Sequence, residues 1–128
     1  MCEDYCSPED LKIEIDFLEG IVERDPENVD AWEALAHDYT DAKLYDKGLH
    51  ADSMVVKLAP DKPLSHYNYA CSLSLTHHEE QAADELLLSI KLGYKEYRFI
   101  EQDPDLDNLR EHPAWQAVAE IIKSKGRK

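Results

Sequence analysis

The sequence has few of the residues that mark membrane insertion, secretion or a disulfide framework. Only three of its 128 residues are cysteine and four are glycine. No stretch approaches the roughly 18 uninterrupted apolar residues that a membrane-spanning helix needs. The first residues have neither the basic region nor the apolar core of a secretory signal. We therefore expect a cytoplasmic protein with no membrane segment and with reduced cysteines.

Motifs for enzymatic chemistry are also missing, because the chain has no Gly-rich phosphate loop, no nucleotide fingerprint and no nucleophile spaced from a base. Two runs come nearest to metal sites, namely residues 77–80 (His-His-Glu-Glu) and the alternating acids Asp103, Asp105 and Asp107. Adjacent histidines on a helix point about 100° apart, so they rarely share one ion. The acidic run lacks the glycine and bidentate glutamate of a calcium loop. Turn and helix-capping roles fit both runs better, and we predict a non-catalytic protein with no cofactor and no metal site.

The net charge of −14 is concentrated in the first third of the chain. Residues 1–46 hold 15 acidic and 3 basic side chains, a balance of −12, whereas residues 47–128 hold 13 and 11, a balance of −2. Such a field repels a phosphate backbone, which argues against nucleic acid as a partner. The N-terminal part favours a basic or polar ligand, although an acidic surface also serves solubility alone.

The sequence predicts helices throughout. Ser7 followed by Pro8 and two acids is a typical helix start, and an apolar stripe follows it at helical spacing. The helix must end before Pro26, because the residue preceding a proline is pushed out of the helical region. The same reasoning predicts helices from about 28, over 46–58, 63–76 and 79–92, a short one after Gly93, one turn near 106, and a last one after Pro113.

A period of 34 residues relates two of these helix pairs. Trp32, Leu35, Ala36 and Tyr39 stand in the order W-x2-L-A-x2-Y, and Pro26 and Pro60 are 60 − 26 = 34 residues apart. A shift by this period places small residues on small ones: Ala36 on Ala70 and Gly48 on Ala82. It also places Trp32 on His66 and Pro60 on Tyr94, so the second copy is degenerate.

Residues 29–60 therefore resemble a tetratricopeptide repeat (TPR), 63–93 resemble a degenerate second copy, and 103–115 are similar to segments that close TPR arrays in bacterial proteins. The resemblance implies an all-α fold, a short right-handed superhelix of about seven antiparallel helices. We predict one domain over 1–128, with an N-terminal helix (8–25), repeat 1 (28–60), repeat 2 (63–93) and a C-terminal capping segment (94–124).

In this family the first helix of each pair lines a concave face where a peptide or a partner's helix docks. Carried over by position, the resemblance implies the partner-binding residues Asp30, Glu33, His37, Asp41, Tyr67, Asn68, Cys71 and Ser74. Tyr67 is an interface anchor if it is exposed, but the end of the array can instead fold over its own groove. His37 beside acids could suggest acid–base chemistry, but a surface histidine beside acids usually has no such role. Glu33 and His37 stand where members that grip a carboxylate terminus need basic or amide residues, so chaperone binding is not expected.

The function that follows is a protein-interaction scaffold whose concave face binds a basic or polar peptide or partner helix. The alternative is a structural element that self-associates into a homo-oligomer. That alternative depends on apolar faces of the two terminal helices, formed by Leu11, Ile15 and Leu18 and by Trp115, Val118 and Ile122.

Overall fold

The computed structural model describes residues 7–126, and these form eight α-helices and no strand. Cys2, Cys6 and the last two residues of the basic tail lie outside the described residues. The helices, in chain order, are α1 (Pro8–Arg24), α2 (Val29–Asp41), α3 (Tyr45–Leu58), α4 (Pro63–Leu75), α5 (Glu79–Lys91), α6 (Tyr97–Gln102), α7 (Asp107–Arg110) and α8 (Trp115–Gly126), with a 3-10 turn at Pro104–Leu106 before α7.

The chain divides into two compact units, and the boundary lies between Ala59 and Pro60. Unit 1 holds α1 to α3 and unit 2 holds α4 to α8. In a stacked array each repeat contacts only its neighbours, so a division into compact units also occurs within a single array. The prediction of one domain over 1–128 stays a prediction. The all-α fold class is confirmed.

The start of α1 forms as its sequence predicts. The Ser7 hydroxyl accepts a hydrogen bond from the backbone N–H of Asp10 at 3.1 Å, and the Asp10 carboxylate accepts one from the backbone N–H of Ser7. This reciprocal capping box satisfies two backbone donors that helix geometry leaves without partners. Ile15, Leu18 and Val22 are buried in the core of unit 1.

Unit 1 is built around the tryptophan-containing repeat. Trp32, Leu35, Ala36 and Tyr39 of α2 are all buried, as the spacing predicts, and so are Ala51 and Val55 of α3. The two helices approach closely at Gly48, where an added Cβ would lie 3.2 Å from Oγ1 of Thr40. A small residue is therefore required at this crossing.

The 34-residue period extends to the backbone of the turns. Lys43 and His77 are 34 positions apart and both adopt positive φ, 62° and 64°. In each turn the next residue's N–H bonds back to the carbonyl five positions earlier: Leu44 to Tyr39, and His78 to Leu73, both at 2.8 Å. These are the hydrogen bonds of a Schellman helix end. The two helix pairs are the same structural repeat, and the polar turn at residues 77–78 is confirmed.

The substitution of His66 for tryptophan conserves one hydrogen bond. In repeat 1, Nε1 of Trp32 donates to the carbonyl of Pro26 at 2.8 Å, and in repeat 2, Nε2 of His66 lies 2.7 Å from the carbonyl of Pro60. A carbonyl can only accept, so Nε2 donates. Nδ1 of His66 lies 2.6 Å from the Glu85 carboxylate, which also needs a donor. Both ring nitrogens therefore carry protons, and His66 is a buried imidazolium.

The surroundings of His66 act on its pKa in opposite directions. Burial lowers the pKa, but the hydrogen bonds to Glu85 and to the Pro60 carbonyl, together with the negative charges of Glu85 and Asp61, outweigh burial and raise it above 6.5. A pKa raised in the folded state stabilises the fold fully below the unfolded-state pKa. That contribution is lost as the pH rises from about 6.5 through the folded-state value.

We predict that His66→Gln removes part of the pH dependence of stability. Between pH 6 and 8 the unfolding free energy of the wild type should fall relative to that of His66→Gln by about 1–2 kcal/mol, the range for one charge-assisted hydrogen bond. Urea unfolding at a series of pH values measures this difference. His77→Gln is the control, because the His77 side chain is 74% exposed. Identical slopes for the wild type and His66→Gln would contradict the prediction.

Unit 2 buries its C-terminal segment against the helix pair α4–α5. Ile100, Leu106, Leu109 and Val118 are completely buried, and Ile122 is nearly so. The apolar residues that follow Gly93 are buried only in part. Tyr94 precedes α6, and Phe99 is half exposed, because a six-residue helix can bury only one face.

Candidate functional site

The outer face of α2 carries the predicted acidic surface of unit 1. Asp30, Glu33, His37 and Asp41 recur at steps of three or four residues and therefore share one helix face. Asp30, His37 and Asp41 are exposed and Glu33 is half-buried. Nδ1 of His37 lies 3.2 Å from Oδ2 of Asp41. The structure thus brings all four predicted residues of α2 to one accessible surface.

Asp38 was not among the predicted site residues, yet it is the most unusual group beside this face. It is 1% exposed, no donor group of a described residue reaches its Oδ2, and its carboxyl group forms a hydrogen bond with that of another acid, Glu14 of α1. Burial, first, and then the hydrogen bond and negative charge of Glu14 and the charge of Asp41 together raise its pKa from 3.8 to about 7. Sequence reasoning missed Asp38 because a charged residue is rarely placed in a core without a partner.

A groove of about 610 Å³ lies at the C-terminal end of the same α2 face, within unit 1. Its walls come from the first half of α1 and from the turn between α2 and α3. It includes apolar Leu11, Ile15 and Leu44, the acid Asp41 and the basic Lys47. The sequence pattern did not indicate this groove, because it depends on how the α2–α3 turn packs beside α1.

The corresponding face of α4 is covered by the chain itself. Tyr67 is 3% exposed, its hydroxyl donates to Oδ2 of Asp103, and its ring stacks on Tyr94 with 4.4 Å between centroids. Sγ of Cys71 lies 3.7 Å from the same carboxylate oxygen. Burial raises the pKa of Tyr67, and so do the nearby Cys71 and Asp103. An exposed Tyr67 anchor is therefore not what the structure shows, because the end of the array folds over its own face.

Ser74 lies beneath residues 103–110, the covering segment of α4. Its hydroxyl accepts the backbone N–H of Leu109 at 3.1 Å, and its carbonyl accepts the side-chain N–H of Asn108 at 3.0 Å. Of the four predicted residues of α4, only Asn68 is exposed. The binding roles of Tyr67, Cys71 and Ser74 would require the C-terminal segment to move away.

Arg110 holds the covering segment in shape. It donates to the carbonyl of Ile100 at 2.7 Å and to that of Asp103 at 2.6 Å, and it pairs with Asp107. Asp103 also caps the 3-10 turn by accepting from the backbone N–H of Asp105. The acids of this run therefore act in turn formation and capping, as their sequence predicts. The run His77–Glu80 forms the α4–α5 turn and the start of α5.

Comparisons with known proteins identify the fold. No protein-family model matches the chain, and a search of curated proteins finds no match. Among solved structures, the crystal structure of MamA, a TPR-containing protein, is similar, with 21% sequence identity and a TM-score of 0.71. The alignment covers 92% of this chain and 70% of MamA. The described chain therefore has the TPR-type helical-repeat fold that its sequence predicts.

Across residues 7–126, none of the helices combines the length and the apolar character that crossing a bilayer requires.

We predict that Tyr67→Phe destabilises the chain by about 1–3 kcal/mol, because the mutation leaves a buried carboxylate oxygen of Asp103 without its hydroxyl donor. Urea unfolding measures the change. Tyr97→Phe removes the same hydroxyl from a half-buried ring for which the structure gives no hydrogen bond, and it should change stability by less than about 0.5 kcal/mol. Equal effects of the two mutations would show that the Tyr67–Asp103 bond does not stabilise the covering segment.

Proposed function

We propose that the chain is a non-catalytic protein-interaction module that binds a basic peptide, or a basic partner helix, on the α2 face of unit 1. The observation that carries the proposal is the difference between the two equivalent helices. The α4 face is covered by residues 103–110 of the same chain, whereas the α2 face has no such cover among the described residues of its unit and presents Asp30, Glu33, His37 and Asp41.

The charge of unit 1 supports a basic ligand. Residues 1–46 carry a balance of −12, and complementary charge speeds association and selects against acidic partners. The neighbouring groove adds an apolar element, since Leu11, Ile15 and Leu44 line it. A peptide with several basic residues and one aliphatic side chain matches this combination of acidic face and apolar groove.

The contacts within unit 2 suggest how a peptide would be held. The covering segment engages α4 through a backbone N–H bound to Ser74 and a side-chain amide bound to a helix carbonyl, and Tyr94, which precedes the segment, adds an aromatic stack on Tyr67. Short segments bind helical faces by this mixture of polar and apolar contacts. A partner on α2 would use the same kinds of contact, with ion pairs to the acidic side chains in addition.

We predict that Glu33→Lys with Asp41→Lys weakens binding of a basic peptide by about tenfold or more, because each reversal replaces an attraction by a repulsion. The measurement is fluorescence anisotropy with three labelled peptides of equal length, basic, neutral and acidic, each with one leucine. The wild type should prefer the basic peptide, and its affinity should fall as salt is added.

A matched control separates a specific face from the overall charge. Glu23→Lys with Glu27→Lys makes the same change in net charge in the same unit, at exposed positions in the last turn of α1 and in the α1–α2 turn, outside α2. It should retain most of the wild-type affinity. Equal losses in both double mutants would reduce the effect to non-specific electrostatics, and no preference among the three peptides would contradict the proposed ligand.

A second candidate function is self-association. The predicted apolar faces of the terminal helices are largely used within the units, since Ile15, Leu18, Val118 and Ile122 are buried there. A different pair is free to act: Ile13 and Phe17 lie one turn apart on α1 and are 67% and 64% exposed. Exposed apolar pairs of this kind favour association with a second copy.

We predict that, if this second function holds, Phe17→Glu lowers the association state. Sedimentation velocity over a range of concentrations should then show a dimer for the wild type and a monomer for the mutant. Phe99→Glu is the control, because Phe99 is also about half exposed but belongs to α6. A wild type that stays monomeric at all concentrations would exclude self-association.

A further inference from the structure

Three possible metal ligands converge at the C-terminal end of α2. Nδ1 of His37 lies 3.2 Å from Oδ2 of Asp41 and 4.0 Å from Oδ1 of Asp38. One donor atom from each of the three residues falls within 4.8 Å of the others. Metal–nitrogen and metal–oxygen bonds are about 2.0–2.2 Å, so donors around one ion lie roughly 3–4 Å apart. Small side-chain rotations would bring all three to one cation.

Adjacent residues of a helix seldom share an ion, because their side chains diverge. Here the separation of His37 and Asp38 is compatible with a shared ion because both side chains lean toward Asp41, one turn further along. The fold therefore creates a donor set that residue spacing alone did not indicate.

A second observation points independently to a ligand. The side chain of Asp38 is 2% exposed, no donor group of a described residue reaches its Oδ2, and its carboxyl group meets another acid, Glu14 of α1. Two carboxyl groups in hydrogen-bond contact cannot both be charged unless a cation lies beside them, and a cation can take the place of the proton that such a pair shares. The side chains of His37 and Asp41 are 41% and 36% exposed, so two of the three possible ligands are accessible from solvent.

We propose that His37, Asp38 and Asp41 bind one divalent cation of the zinc class, with Glu14 of α1 close enough to add negative charge. One imidazole and two carboxylates suit Zn²⁺ and other first-row divalent ions, whereas Mg²⁺ prefers oxygen ligands and retains its waters. The site shares His37 and Asp41 with the proposed peptide-binding face, but cation binding needs no peptide and is measured without one, so the failure of one proposal is distinguishable from the failure of the other.

The other group of possible ligands, Cys71, Asp103 and Asp105, does not compete with this assignment. Both carboxylate oxygens of Asp103 already accept hydrogen bonds, one from Tyr67 and one from the backbone of Asp105. A cation there would have to displace the contacts that hold the covering segment.

The experiment is calorimetric titration of the full chain with ZnCl₂ and, separately, MgCl₂. We expect one Zn²⁺ per chain and at least about tenfold weaker Mg²⁺ binding. His37→Gln and Asp41→Asn should each lower Zn²⁺ affinity by about tenfold or more, the loss that even second-shell changes can cause. Both positions are exposed, so these mutants should fold, and circular dichroism checks this.

His77→Gln is the matched control. Nδ1 of His77 lies 3.4 Å from Oε2 of Glu79, so it also belongs to an exposed histidine–acid pair, but in unit 2. Its Zn²⁺ affinity should equal that of the wild type. Titration with Co²⁺ tests the ligand type, because an imidazole–carboxylate set gives no sulfur-to-metal charge-transfer band, whereas the cysteines would. Absence of stoichiometric binding, unchanged affinity in both site mutants, or a sulfur band would each overturn the proposal.

Discussion

The close approach of two helix backbones within each pair is the constraint on which the rest of the structure depends. At Gly48 an added Cβ would already crowd Thr40, and the equivalent Ala82 is completely buried. Small residues allow this approach, and large buried side chains of the same helices, such as Trp32 and Leu35, pack around it. The turns at Lys43 and His77 have the same left-handed backbone because they close the same narrow pair. The 34-residue period in the sequence results from this repeated geometry.

Most of the helices could be predicted because their signals are local. The capping box at Ser7, the prolines that follow Asp25 and Ala59, and the spacing of Trp32 and Tyr39 act within a few residues of where they stand. His66 could not be interpreted in the same way. Its hydrogen bond to the proline carbonyl is the same as that of Trp32, but its second ring nitrogen also needs the carboxylate of Glu85 as an acceptor. In repeat 1 the position equivalent to Glu85 is Ala51, which has no polar side chain. Only the packed structure shows that His66 and Glu85 are partners.

The candidate site, too, could be predicted from the sequence only in part. The acidic face of α2 followed from helical spacing alone, and the structure places its four predicted residues on one surface. The face of α4 has the same spacing, yet three of its four predicted residues are buried, because coverage depends on whether a distant segment finds partners there. The stack of Tyr67 on Tyr94 and the bond from Leu109 to Ser74 are such long-range contacts. Periodicity identifies a face, but it does not tell what covers the face.

Asp38 shows why a functional group can escape sequence reasoning and still stand out in a structure. In the sequence it is one acid among 28, and the apolar stripe of α2 passes on either side of it. In the structure it is buried, and burial together with the charges of Glu14 and Asp41 raises its pKa to about 7. Stability alone gives no reason for this arrangement, because an apolar residue of similar size would pack there without loss of solvation. This cost is the reason for the proposed cation site, in which the exposed His37 and Asp41 lie on the side that solvent reaches.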